Sequence, residues 1–225
     1  MGKNQPLTIE HFGKALDRLI EMVVLGKAHI LIGRGIGRTV NEDPAIAQVA
    51  PVFWGMNLNA HLDIAQLIAF KLFDTHHGTM TVHWLLESAE SLKGSFPHAA
   101  PAQVEEVVRI GRTQVASLAG PLSRIRAKRN RVLAHTDQTI VRNPSELAKQ
   151  VELTFSDLNS VLEMAGSILN ELSVKLRDIS PLYEMIDSND YEQVAALIAE
   201  AKCARIHAYE AEFGRWDGLR PKKCS

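Results

Sequence analysis

Residues 143–177 decide the fold class, and they read NPSELAKQVELTFSDLNSVLEMAGSILNELSVKLR. Asn143, Pro144 and Glu146 supply an N-cap, a first-turn proline and a capping-box glutamate. Apolar residues then recur at steps of three and four, which is the spacing of one helix face, and Thr154 fills the missing place. We therefore predict one long helix to about residue 176 that packs antiparallel against other helices. Its apolar seam comprises Leu147, Val151, Leu158, Leu162, Ala165, Leu169, Leu172 and Leu176.

The same helical spacing recurs along most of the remaining chain. It predicts further helices over residues 9–32, 44–74, 81–92, 102–119, 121–135 and 189–213. The glycine-punctuated stretch from Ile32 to Pro44 predicts a loop, and Gly120-Pro121 predicts a kink. No segment shows the alternation of apolar and polar residues that a strand needs. The sequence thus predicts an all-α fold, an antiparallel helical bundle with a C-terminal helical extension.

Composition and length favour one folded domain. The chain has 225 residues, of which 46% are hydrophobic and 23% charged, so it can bury a substantial core. No long linker rich in Pro, Gly and Ser divides it. We predict a single domain over residues 1–225, with a core at about 8–180, a C-terminal helix at about 189–213 and a frayed tail at 214–225.

The cysteines and the apolar segments indicate the cellular setting. Cys203 and Cys224 lack CxxC spacing, which argues against a disulfide framework and a zinc ribbon. The N-terminus lacks a secretory signal, and charged residues interrupt every long apolar stretch. We therefore predict a cytoplasmic protein with reduced cysteines and no contact with a membrane.

A basic segment stands out, because the net charge of the whole chain is only −1. Residues 107–136 contain seven lysines and arginines and no acidic residue. Arg124, Lys128, Arg131 and His135 share one face of the predicted helix. This cationic face is either a solvated helix surface or a site for RNA or polyphosphate.

Arg129 falls on the other, apolar face of that helix, with Leu118, Leu122, Ile125 and Val132. Its guanidinium should therefore point toward the core or a subunit interface, where it needs an anionic or hydrogen-bonding partner. That partner is either a structural carboxylate such as Asp63 or a substrate phosphate.

Arg129, Asn130 and His135 form the pattern R-N-x4-H, the signature of the HEPN superfamily. The surrounding IRAKRNRVLAHTD resembles the abortive-infection U-type branch of bacterial phage-defence HEPN proteins. The segment FWGMNLNAHLDIAQLIAFKLFD, residues 53–74, is similar to the long helix that precedes the motif in that branch. In layout, the resemblance covers roughly residues 10–180.

The resemblance implies a four-helix-bundle-type domain, a homodimer whose two motifs meet in one cleft, and a metal-independent endoribonuclease. It implies a general base or acid at His135, a phosphate clamp at Arg129 and a polar orienting group at Asn130. We add Arg124, Lys128 and Arg131 as RNA-binding residues, and we expect no metal and no cofactor. The role would be phage defence or toxicity, with a possible antitoxin or defence partner protein.

Other readings of the sequence stay open. A noncatalytic HEPN module that binds RNA, nucleotide or a partner protein is the main alternative. The three histidines His76, His77 and His83 lack the spacing of a zinc site, and the Gly33-x-Gly35-x-Gly37 pattern suits a helix C-cap and flexible loop. Asn57 and His61, one helical turn apart, could hydrogen-bond each other or support the site. The tryptophans Trp54, Trp84 and Trp216 are predicted core or interface anchors.

Overall fold

The structure is a computed structural model, and it describes residues 7–76, 78–130, 153–183, 190–222 and 224. Over these residues it contains helices and no strand, which confirms the predicted all-α fold. The helices are α1 (Ile9–Glu42), α2 (Pro44–Val49), α3 (Pro51–Leu72), α4 (Val82–Ser91), α5 (Pro101–Ser117), α6 (Ala119–Lys128), α7 (Phe155–Arg177) and α8 (Asp190–Phe213), with a short 3₁₀ turn at Lys93–Ser95.

The chain divides into two compact units. Unit 1 contains Met1–Lys27 and Ala65–Glu184, and unit 2 contains Ala28–Ile64 and Met185–Ser225. No helix in the described part of the chain is long and apolar enough to cross a membrane.

The core of unit 1 is built on α7. Its seam residues from Leu158 to Leu176 are buried, as the spacing predicted. The helix nevertheless begins at Phe155, because Thr154 and Asp157 form a capping box. The Thr154 hydroxyl accepts from the Asp157 N–H at 3.0 Å, and the Asp157 carboxylate accepts from the Thr154 N–H at 3.1 Å. A continuous helix through residue 154 was therefore a wrong prediction, while the predicted cap at residues 143–146 lies outside the described residues.

Helix α1 continues through the stretch that was predicted as a loop, Ile32–Pro44. Gly35 is buried against the ring of Tyr191, and a Cβ there would lie 2.1 Å from the Tyr191 Cζ atom. The loop prediction, including a C-cap at Gly33, Gly35 and Gly37, was wrong because glycine was taken as a helix stop. In this helix Gly35 permits the close approach of an aromatic ring instead.

The predicted helix 44–74 is broken near its start. Asp43 accepts from the Ala45 N–H as the N-cap, and Pro44 lies in the first turn, as predicted. The helix then stops at Val49, Ala50 takes a non-helical conformation, and α3 starts at Pro51. A proline cannot donate to the preceding turn, so the single-helix prediction was wrong at this point.

The predicted kink near Gly120-Pro121 is present two residues earlier. Helix α5 ends at Ser117, and α6 begins at Ala119. Pro121 occupies the first turn of α6, where its missing N–H would have had no helical partner.

The C-terminal segment of unit 2 is held to its neighbours. A disulfide joins Cys203 of α8 to Cys224, which is buried. The Lys222 N–H donates to the Asp43 carboxylate at 2.8 Å. The prediction of reduced cysteines was therefore wrong, since spacing in the sequence does not reveal which cysteines meet in space. The frayed tail at 214–225, of which residues 223 and 225 lie outside the described residues, stays a prediction.

Candidate functional site

The R-N-x4-H motif begins where α6 ends. The chain stays helical through Arg129 and Asn130, which form a wider, π-type turn after Lys128. Such turns are frequent at functional sites. The other two predicted residues of this region, Arg131 and His135, lie outside the described residues.

Arg129 packs against α3. Its guanidinium carbon lies 4.8 Å from the centre of the Phe70 ring, and its Nη1 donates to Asn130 Oδ1 at 2.8 Å. On the same α6 face Ile125 is buried, as the spacing predicted. No carboxylate among the described residues pairs with Arg129. Its contacts are instead the face of the Phe70 ring and the side-chain amide of Asn130. The Asn130 side-chain oxygen therefore occupies one of the guanidinium donors of Arg129.

Arg129 lines a cleft of about 450 Å³ in unit 1. Most of its wall is apolar, and its charged lining residues are Arg18, Lys71, Asp74 and Arg129. Arg18 is paired with Glu21 at 2.8 Å, whereas neither Lys71 nor Arg129 pairs with a described carboxylate. The cleft thus combines an apolar wall with two cations that are available to an anion. The remaining lining residues are Leu19, Met22, Leu67, Phe70, Thr79 and Met80.

Arg124 has a structural partner. Its Nη2 donates to Asp157 Oδ1 at 2.6 Å, with the side chains 37% and 22% exposed. The pKa of Asp157 is lowered, first by the N–H of Thr154 and then by the Thr154 hydroxyl and Arg124. Arg124 therefore fastens α6 to the first turn of α7, and its charge is largely compensated.

Other arginines of the basic segment are also paired within the described residues. Arg109 binds Glu106 at 2.6 Å, and Arg112 binds Glu90 at 2.6 Å. Both carboxylates precede residues 107–136 in the sequence, so the composition of that segment alone overstated the positive charge that is left unpaired. Arg126 and Lys128 form no ion pair with a described residue, so the cationic surface is concentrated at the end of α6.

Sequence reasoning missed a histidine pair in unit 2. The Nδ1 atoms of His29 and His61 are 2.8 Å apart, so one ring donates and the other accepts. Burial lowers the pKa of both rings, and the charge of His61 lowers the pKa of His29 further. The predicted partner of His61, Asn57, instead donates to the Phe53 carbonyl at 2.8 Å. The two histidines are 32 residues apart, and no spacing rule connects them.

The three tryptophans that were predicted as core or interface anchors differ in burial. Trp54 is 3% exposed in the core of unit 2, and Trp84 and Trp216 are half-buried. No group of three or more potential metal ligands occurs among the described residues, and His77 is outside them.

An all-α fold in which R-N-x4-H begins at a helix end beside a partly cationic cleft defines a HEPN domain. The family model HEPN_AbiU2, described as AbiU2, matches residues 42–197, a range that contains the whole motif. The chain therefore belongs to the AbiU2 family of HEPN proteins. No curated protein and no solved structure matches it.

Proposed function

We propose that this protein is a metal-independent endoribonuclease that acts in phage defence or as a toxin. The observation that carries the proposal is the intact Arg129-Asn130-x4-His135 motif inside the AbiU2 match, with Arg129 on the wall of a cleft. Arginine and histidine together supply the charge and the proton transfer that cleavage of RNA needs.

The proposed reaction is a transesterification. The ribose 2′-oxygen attacks the adjacent phosphorus, and the bond from phosphorus to the 5′-oxygen breaks. A base removes the 2′-proton, and an acid gives a proton to the leaving 5′-oxygen, so the products carry a 2′,3′-cyclic phosphate and a 5′-hydroxyl. His135 serves as base or acid, and Arg129 stabilises the charge on the phosphorane, with Asn130 holding its guanidinium.

The cleft contributes substrate binding in this proposal. Lys71 and Arg129 attract the phosphates, and the apolar wall around Phe70 accepts an unstacked base. Lys128 and Arg131 are further proposed RNA-binding residues, whereas Arg124 acts mainly through its pair with Asp157.

One motif has a single imidazole, so we propose a homodimer in which two motifs supply both the acid and the base. The part of α3 from Pro51 to Leu62 contains no Asp, Glu, Lys or Arg, and its apolar residues Val52 and Met56 are 71% and 68% exposed. Such an exposed apolar face suits contact with a second copy of the chain. Light scattering at micromolar concentrations tests this step. A stable monomer would contradict the composite site.

A noncatalytic module that binds RNA, nucleotide or a partner protein is the second candidate. The observation that favours it is the pairing of Arg109, Arg112 and Arg124 with carboxylates, which reduces the charge available for a long RNA substrate. An antitoxin or defence partner would fit either candidate.

The deciding experiment incubates the purified protein with labelled RNA in excess EDTA. We expect cleavage with 2′,3′-cyclic phosphate ends, and a loss of about 10²-fold or more in His135→Ala, the scale of a general acid or base. His98→Ala, which changes an exposed histidine outside the motif, is the matched control and should cleave normally.

A second pair of variants tests the arginine. Arg129→Ala should lose cleavage, while Arg126→Ala, an exposed arginine three residues earlier, should retain most of it. If His135→Ala cleaved as fast as the parent, or if EDTA abolished cleavage, the module would replace the nuclease.

A further inference from the structure

Unit 2 contains a cleft of about 540 Å³ that no part of the proposed ribonuclease mechanism uses. It lies between α2, α8 and the C-terminal segment, and residues of both helices and Trp216 line it. Its volume lies in the range of small-molecule sites. Its lining contains two cations, Lys202 and Arg205, and no acidic residue.

Neither cation is paired with a carboxylate among the described residues. Lys202 is half-buried, and its ammonium donates to the Ala45 carbonyl at 3.0 Å, which is a neutral partner. Arg205 is exposed at the edge of the cleft. A partly desolvated ammonium beside a guanidinium is stabilised by an anion more than by water alone. This end of the cleft is therefore suited to a negatively charged group.

Two aromatic residues, Tyr209 and Trp216, also line the cleft, and their rings are fixed against each other. The Trp216 ring meets the Tyr209 ring edge to face, with centres 5.3 Å apart and planes at 81°. The backbone N–H of Trp216 donates to the Glu210 carboxylate at 2.9 Å. Gly218 packs against the indole so closely that a Cβ would come within 2.6 Å of it. A wall that is ordered before binding loses little entropy when a flat ligand packs on it.

The disulfide holds this wall in place. Trp216 lies between Cys203 and Cys224, within the 21-residue interval that the bond closes. The Lys222 N–H, bound to Asp43 of the α2 N-cap, adds a second tether. The segment that carries Trp216 is thereby fixed to both helices of the cleft.

We propose that this cleft binds a small aromatic carboxylate. The flat ring packs on Trp216 and Tyr209, and the carboxylate binds Arg205 and Lys202. Guanidinium and carboxylate match in charge and in planar geometry, which gives the site its preference for this class of ligand.

The test uses 2-naphthoate as the probe, its neutral isostere 2-naphthamide, and titration calorimetry on the full chain with the disulfide intact. We expect 2-naphthoate to bind about tenfold or more tightly than the amide, because its carboxylate forms charge-assisted hydrogen bonds that the neutral amide cannot form. Arg205→Gln should weaken naphthoate binding by about the same factor. Arg215→Gln is the matched control, since Arg215 is an exposed arginine outside the cleft lining.

A second pair of variants leaves both cations in place. Val49 is 39% exposed on the cleft wall, so a polar side chain is tolerated there. Val49→Glu should reduce naphthoate affinity through repulsion of the carboxylate, and Val49→Gln, which has the same shape without the charge, should bind more tightly than Val49→Glu. Equal affinity for naphthoate and naphthamide, or equal affinity in Arg205→Gln and Arg215→Gln, would overturn the proposal.

Discussion

Two glycines of the same turn of α1 should respond differently to the same substitution. Replacing a glycine inside a helix by alanine normally stabilises a protein by about 1 kcal/mol, because alanine loses less backbone entropy on folding. At Gly37 the nearest atom to a new Cβ is a Leu58 methyl at 4.0 Å, which is ordinary contact. We therefore expect Gly37→Ala to raise the free energy of unfolding by up to about 1 kcal/mol.

At Gly35 the same methyl group meets the Tyr191 ring. A Cβ at this position would lie 2.1–2.5 Å from three atoms of Tyr191, so the ring must move by more than 1 Å to restore contact near 3.5 Å. Overpacking of this kind costs about 1–3 kcal/mol, which cancels or exceeds the helix gain. Gly35→Ala should thus lie about 1–3 kcal/mol below Gly37→Ala in unfolding free energy.

Urea unfolding followed by circular dichroism measures both variants against the parent. A difference of 1 kcal/mol also moves the melting temperature by about 2–4 °C in a chain of this size. Tyr191→Ala in the Gly35→Ala background removes the obstructing ring and should recover part of the helix gain. If Gly35→Ala stabilised the protein as much as Gly37→Ala, the packing of α8 against this face of α1 would be wrong.

Three further outcomes are expected. Arg124→Gln should leave RNA affinity within about twofold, because the Arg124 charge is already paired with Asp157. Lys71→Gln should weaken RNA affinity and lower its salt dependence by about one released counterion. Binding titrations at several salt concentrations measure both effects. The pKa values of His29 and His61 are lowered in the folded state, so their contribution to stability is complete above the unfolded pKa of about 6.5 and is lost as the pH falls below it. Denaturation at pH 7.5 and 5.5 should show a smaller difference in His29→Gln than in the parent. Cys224→Ser removes the disulfide, whose closure of a 21-residue loop contributes about 3 kcal/mol to the free energy of unfolding. The variant should therefore unfold at a lower urea concentration, and an unchanged midpoint would show that the bond does not stabilise unit 2.

Local sequence patterns predicted most of the helices and their caps. The seam of α7 is buried from Leu158 onward, Asp43 and Pro44 open α2, and α8 ends at Phe213 as predicted. These features depend on neighbours three or four positions away, and such neighbours are fixed once the chain is helical. Glycine was the exception, since its effect on a helix depends on what approaches it, as at Gly35.

The sequence by itself determined the helical class and the Arg129-Asn130-x4-His135 motif that identifies the family. Only the tertiary structure decided which side chains meet: Arg124 with Asp157, His29 with His61, and Cys203 with Cys224. These partners are 33, 32 and 21 residues apart, well beyond the reach of one helical turn. Helical periodicity sets which face a residue occupies, but the partner on the opposing face is set by how whole helices pack, and a single sequence carries no local signal for that choice.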